Sequence, residues 1–256
     1  MRRAGGAGAG HPGGAAGVGG ARGPPAAGEG GPLIGFVKRI ASQGFIWPPI
    51  DYELLEAKEQ GLLRGTVLNA GAGVRDLSHL VDGTLINQDI RWQDEQRTDV
   101  DVYSPIHDIP VPDGHFDAIV CIAVLEHVEN PEEVVPEFFR VLKPGGHVVA
   151  SVPFLQPEHK IPTDFQRYTR DGLARLFAHH GFEVVSVKPL FSVYHTLHWI
   201  LYEWLVLKGR GRAGWAFKLL RVVLLPALGL VARRSTLQSP KLASAFQIVA
   251  RKPAAP

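Results

Sequence analysis

Two short segments constrain this chain more than any others. VLNAGAG, at residues 67–73, has the apolar run of a buried strand and ends in glycines. INQDI, at residues 86–90, reads as a second strand ending in an acid, Asp89. Glycine has no Cβ, so its backbone can come close to a bound ligand. A carboxylate at the end of the next strand can accept hydrogen bonds from both hydroxyls of a ribose. The pair predicts a nucleoside-bearing cofactor at the carboxyl edge of a parallel sheet.

The rest of the chain supplies the sheet. Strand one is expected at 66–70, and further strands at 84–88, 99–103, 116–124, 147–152, 182–188 and 245–251. Helices are expected at 33–44, 51–60, 74–80, 131–142 and 171–180. Gly61 and Gly181 stop two of them, Thr169 is placed to cap the last, and Pro131 suits a first turn that needs no donor. Strands alternating with helices predict an α/β fold: a doubly wound, mostly parallel, seven-stranded sheet. Neighbouring edge strands are ordinarily joined by a short turn. Residues 190–244, carrying HTLHWILYEWLVLK and WAFKLLRVVLLPALGLVARR, therefore read as a helical insertion between the last two strands.

A chain of 256 residues suits one domain, placed at 32–256. Residues 1–31 are nearly all Gly, Ala and Pro and are expected to be a disordered tail, because they cannot bury enough apolar area to offset ordering. No apolar segment follows the arginines of MRRAGGAGAG, so a cytoplasmic location is expected. The single cysteine, Cys121, excludes an internal disulfide and a multi-cysteine zinc site. It lies in the apolar run FDAIVCIAV and reads as a buried structural thiol. No metal site is read in the sequence. Residues 32–203 hold 24 acidic and 14 basic residues, whereas 204–256 hold ten basic residues and no acid. That basic, apolar block points to an anionic membrane surface and a peripheral place on its inner face. Neutralising the acidic body is the alternative.

Five segments in order carry a resemblance: VLNAGAG, QDI, HDIPVPDGHFDAIVCIAVLEHV, VLKPGGHVVASVPF and DFQRYTRDGLARLFAHHGFEVV. Together they resemble the class I S-adenosylmethionine-dependent methyltransferases of the group called type 11. The resemblance covers about residues 66–188 and the last strand, and implies a Rossmann-like fold with S-adenosyl-L-methionine as cofactor. It also implies that Asn69, Gly71 and Gly73 face the methionine part, that Asp89 with Ile90 meets the ribose, and that Ala123 flanks the cofactor. An adenine-contacting pair in relatives falls here on Pro105 and Ile106. Proline offers no donor and no carboxylate, which leaves the Ile106 backbone with His107 or Asp108. His127 in LEHV is common in the group, with a structural role at a helix start as the plain alternative. An NAD fingerprint wants a third glycine, and Val74, Arg75 and Asp76 stand there instead.

Methyl transfer from a sulfonium is an in-line substitution, so alignment and exclusion of water supply much of the rate. A general base is needed only where the acceptor loses a proton early. In PEHKIPTDFQRYT, His159 is the candidate base with Asp164 as partner, and Asp164, Arg167 and Tyr168 are candidate substrate contacts. An Asp164–Arg167 tie that only secures the loop is the alternative. In the insertion, Val193, Leu197, Ile200, Leu201, Trp204 and Leu207 share one helical face. Trp199, Tyr202 and Trp204 suit a boundary between apolar and wet. The apolar run at 219–232 is broken by Arg221 and Pro226 and is shorter than the roughly 20 residues of a span. An interfacial helix pair or a greasy lid is expected, over a small-molecule or lipid-linked acceptor. Nucleic acid is not expected, since the body is acidic. Two rival classes stand beside this reading. One is a non-catalytic, membrane-associated assembly protein, kept open by Asn69 and Pro105; the other is an NAD-dependent oxidoreductase.

Overall fold

The computed structural model describes residues 50–91, 99–160, 163–209 and 214–254. The expected tail at 1–31 and helix at 33–44 lie outside them. A 3-10 turn (Ile50–Glu53) and a short helix α1 (Leu55–Glu59) lead into β1 (Arg64–Ala70) and β2 (Asp82–Asp89). There follow β3 (Val102–Tyr103), β4 (Phe116–Ile122), helix α2 (Pro131–Val141), β5 (Leu142–Pro153), α3 (Arg170–His179) and β6 (Glu183–Leu190). Helices α4 (Val193–Lys208) and α5 (Gly214–Arg234) and strand β7 (Ala245–Arg251) complete the described chain.

Among the described residues seven strands form one sheet in the order β3-β2-β1-β4-β5-β7-β6. The first five are mutually parallel, and β7 lies antiparallel between β5 and β6. This is the expected doubly wound α/β sheet. The two faces separate cleanly along β4. Ile119 and Cys121 pack with Val134, Val135 and Phe138 of α2 and Leu173 and Phe177 of α3. Ala118, Val120 and Ile122 pack with Leu54, Ala57, Leu77 and Leu80 on the opposite side. A strand turns alternate side chains to opposite faces, so a strand covered on both sides must be apolar throughout. Burial pushes the Cys121 thiol well above its ordinary pKa, in keeping with an inert packing role.

Two expectations fail. The helix expected at 74–80 is absent; only a 3-10 turn, Ser78–Leu80, forms there. Asp76 accepts the Ser78 N–H at 2.9 Å, a local bond that competes with helix formation. Leu77 and Leu80 are both buried, so their three-residue spacing serves one tight turn. The second correction concerns the insertion. Helix α5 runs for 21 residues straight through Pro226, about 31 Å at 1.5 Å per residue. It is long and apolar enough to cross a membrane by length and composition, and 17% of its most apolar window is buried. The length argument against a span therefore does not hold.

Helices α4 and α5 form an antiparallel hairpin. Ser192 Oγ donates to Ala232 O at 3.2 Å and Val193 N to Leu237 O at 2.9 Å, while Trp204 meets Phe217 edge-on at the other end. Most of the apolar face read from the sequence of α4 is turned out. Leu197, Ile200, Trp204 and Leu207 are exposed, and the hairpin buries Val193, Thr196, His198 and Leu205 instead.

Candidate active site at the carboxyl edge of the sheet

Neighbouring strands β1 and β4 send the chain in opposite directions across the sheet, and their carboxyl ends open on a crevice. A cavity of about 710 Å³ occupies it. One wall is the β1 turn with the end of β2, including Gly71, Gly73, Asp89 and Ile90, closed by Ile106 and Ala123. The other wall brings His127, Gln156, His159, Trp199 and Phe191 together. Ala123 (φ 54°) and Phe191 (φ 64°) are the two non-glycine residues with positive φ among the described residues, and both line this cavity. Strain of that kind persists where surrounding structure holds it, commonly at binding sites.

The glycine turn is shaped by the side chains that end β2. Gly71 N–H donates to Gln88 Oε1 at 3.1 Å, and Gly73 N–H to Asp89 Oδ2 at 2.8 Å. Asp89 Oδ1 accepts from Ile90 N–H at 2.7 Å. Gln88 is itself held by donating to Ser104 O at 2.6 Å. Both glycines have positive φ, 67° and 54°. A Cβ on Gly71 would lie 2.6 Å from Val124, whereas one on Gly73 would meet nothing within 4 Å. Gly71 is therefore required by packing, and Gly73 leaves open space for a ligand. Arg75 also lines this wall and donates to Ile122 O at 3.0 Å.

Two expected cofactor contacts are placed elsewhere. Asn69 is buried, does not line the cavity, and donates its amide to Asn87 Oδ1 at 2.9 Å. A residue at an interior strand position turns alternately to either face, and here the neighbouring strand claims the side chain. His107 is exposed outside the cavity, although Ile106 beside it lines the wall.

The acceptor-side loop is laced to the 3-10 turn Leu125–His127. Phe165 N donates to Glu126 O at 2.8 Å, and Gln166 Nε2 donates to Leu125 O and Val128 O, each at 2.9 Å. This lacing puts His159 beside His127, ring centroids 5.3 Å apart, and 5.7 Å from the Trp199 ring. Beneath them lies Glu126, whose side chain is completely buried. Its carboxylate holds the His159 imidazole above its ordinary pKa, against the opposing effect of burial.

Asp164, Arg167 and Tyr168 do not line the cavity. Asp164 Oδ2 accepts the His159 backbone N–H at 2.8 Å and the Arg167 Nη2 at 2.6 Å. That guanidinium holds the Asp164 carboxyl down at about 2. Arg167 also donates to Pro157 O at 3.2 Å. The pair secures the loop that presents His159 and makes no wall of its own. Tyr168 packs against the core with its hydroxyl buried, which pushes its pKa up.

Sequence reasoning missed Glu53 and Glu126. Glu53 lines the cavity and accepts a hydrogen bond from Ser151 Oγ. Burial, the largest influence, raises its pKa. No signal near Glu53 marks it, since it belongs to no motif and reaches the site across 98 positions. Glu126 had a signal: an acid beside His127 in LEHV.

The methyltransferase-domain family profile matches residues 43–187, more than half of the chain. The chain belongs to the methyltransferase-domain family. Among curated relatives, an uncharacterized 37.1 kDa protein in transposon TN4556 of Streptomyces fradiae is 31% identical over 159 residues, 54% of this chain and 46% of that protein. The ubiquinone/menaquinone biosynthesis C-methyltransferase UbiE of Vibrio cholerae is 25% identical over 133 residues, 44% of this chain and 51% of that one. This chain thus spans about half the length of the curated relatives it matches. The [4+2]-cyclase SpnF has the same fold, with a TM-score of 0.53 at 18% identity over 87% of this chain and 93% of its own.

S-adenosylmethionine is the cofactor of this family, and a relative from Mycolicibacterium smegmatis, 38% identical over 91 residues, is named a probable S-adenosylmethionine-dependent methyltransferase. The wall described above fits it: open space at Gly73, a carboxylate at the end of β2, and the apolar side chains of Ile90 and Ile106 nearby.

Proposed function

We propose that the protein transfers the methyl group of S-adenosylmethionine to an apolar small-molecule or lipid-linked acceptor. The observation that carries this reading is one cavity with two unlike walls. The glycine turn and Asp89 form one, and the other is mostly apolar with two imidazoles at its edge. When bound, the cofactor supplies a methyl group activated on a sulfonium. This chain's residues do the remaining work. The turn orients the donor, Trp199 and Phe191 exclude water from the opposite wall, and His127 and His159 offer a polar edge for an acceptor oxygen. Relatives named for ubiquinone, menaquinone and demethylmenaquinone methylation support an apolar quinol as the acceptor class. Exposed apolar residues on α5 support delivery at a membrane: Trp215, Leu219, Val223 and Leu230, with Lys218, Arg233 and Arg234 beside them. The hairpin rests on an anionic bilayer at the cytoplasmic face, and Trp199 on its inner side reaches the cavity.

Transfer of isotope-labelled methyl from S-adenosylmethionine to a demethylated quinol in anionic vesicles tests this reading. Label should enter the lipid phase. Tight cofactor binding without transfer to quinols or to soluble catechols would favour a non-catalytic role. Vesicle co-sedimentation should require anionic lipid and weaken with salt, since each basic residue near such a surface contributes about 1 kcal/mol that salt screens. Binding that resists both salt and alkaline carbonate would make α5 a true span.

A further inference from the structure

We propose that Glu126, His127 and His159 form a divalent metal site in the acceptor wall of the cavity. One ligand atom from each lies within 4.8 Å of the others. Glu126 is fully buried, and neither of its carboxylate oxygens has a hydrogen-bond partner. A buried polar group left without a partner is costly, the more so when charged. The imidazole Nε2 atoms of His127 and His159 lie 3.7 and 3.6 Å from Glu126 Oε1.

The other nitrogen of each ring fixes what those Nε2 atoms offer. His127 Nδ1 lies 2.5 Å from Thr163 O. A carbonyl only accepts, so Nδ1 carries the hydrogen and Nε2 of the neutral ring bears a lone pair. His159 Nδ1 lies 3.2 Å from Pro157 O, with Asp164 Oδ2 at 3.7 Å. Arg167 Nη2 stands farther than the Pro157 oxygen, at 3.5 Å, and that guanidinium donates to Asp164 and Pro157 O. The neighbours therefore assign the same tautomer to both rings. Two imidazole nitrogens and a buried carboxylate converge on one point, and a divalent cation in place of a proton on His159 satisfies all three at once. Histidines that donate one N–H to a backbone carbonyl and turn the other nitrogen inward are the usual metal-ligating kind.

The spacing is close to what an ion needs. Ligand atoms about 2.0–2.1 Å from a tetrahedral zinc stand roughly 3.3 Å apart. Small ring tilts would close the observed 3.6 and 3.7 Å to that value. Two imidazoles and one carboxylate suit zinc, cobalt, manganese or iron in the divalent state. Both histidines line the cavity, so the remaining coordination positions face the acceptor. There the ion would bind an acceptor hydroxyl and lower its pKa so that its proton passes to solvent, with His159 acting as a ligand rather than as a free base. That role rests on the methyl-transfer reading; the binding of the ion does not.

The test uses the full chain stripped with a chelator and titrated with Co²⁺, whose visible absorption reports its ligands, then with Zn²⁺ against a chromophoric competitor. One equivalent should bind. Glu126→Gln and His159→Ala should each weaken it at least tenfold, while His179→Ala, on the exposed face of α3, should not. His159 is partly exposed, so its variant remains informative if Glu126→Gln fails to fold. Equal affinity in wild type and both variants, or no stoichiometric binding, would overturn the proposal and leave a protonated imidazole–carboxylate pair. Calorimetry of S-adenosylmethionine on the same stripped protein tests the methyl-transfer reading separately.

Discussion

In the cofactor wall, Gly71 and Gly73 donate to Gln88 and Asp89, only 17 and 16 positions away and at the end of the adjacent parallel strand. In the acceptor wall, His127 meets Thr163 across 36 positions, and Glu53 reaches Ser151 across 98. The first wall is assembled by strand register, which brings the Gln88 and Asp89 side chains at the end of β2 against the glycine turn that ends β1. The second depends on one loop being laced to one 3-10 turn and on a helical hairpin folding over both. Fixed binding geometry thus sits on the sheet, and the part that selects an acceptor sits on connections.

The largest separation of the two walls should come from Gly71→Ala. The added Cβ would meet Val124 at a backbone conformation that disfavours any side chain. A cost of about 1–3 kcal/mol is expected for such strain, with cofactor binding lost to a similar degree and no route for rescue by acceptor. Next, Trp199→Ala should raise the acceptor KM roughly tenfold, the equivalent of about 1.4 kcal/mol, while cofactor affinity stays within twofold. If Trp199→Ala weakens both equally, the walls are not independent.

Acid should loosen the acceptor wall by a route of its own. The folded pKa of Asp164 is depressed to about 2 by Arg167, below the roughly 3.9 of an unfolded chain. A depressed carboxyl contributes stability that is complete above about pH 4 and is lost as pH falls towards 2. Asp164→Asn should therefore lower the melting temperature at pH 7 and flatten its dependence on pH between 4 and 2. A melting curve series in wild type and variant decides this. The smallest effect is expected at the outer hairpin. Val223→Ser, at a position 60% exposed, should leave stability within about 0.5 kcal/mol while reducing binding to anionic vesicles.

Legibility in the sequence follows the same division. The glycine turn, Asp89 and the mostly parallel seven-stranded sheet could be read because each depends on local pattern or on a neighbouring strand. The segment after Gly73 was misread because Leu77 and Leu80 satisfy both a helical period and a single 3-10 turn, and Asp76 decides between them. On α4 the apolar stripe was legible, but the burial of the opposite face through Thr196 and His198 was not. Thr196 Oγ1 donates to Leu242 O at 2.8 Å, a long-range bond that no periodicity announces. Asp164, Arg167 and Tyr168 stand beside the cavity without lining it, and Asp164 and Arg167 form the loop-securing tie that the sequence offered as the alternative. The charges of Asp164 and Arg167 are satisfied by each other and by the backbone of the loop they hold, and Tyr168 packs against the core.

Calorimetric titration with S-adenosylmethionine, comparing wild type with Asp89→Ala, tests the central claim most directly. Asp89 holds the Gly73 N–H and lines the cavity. Hydrogen bonds to a charged group contribute about 1.5–3 kcal/mol each. The account predicts one binding site in the wild type and an affinity at least tenfold weaker in the variant, with both proteins folded. Absence of binding to the wild type, or equal binding by the two, would contradict it.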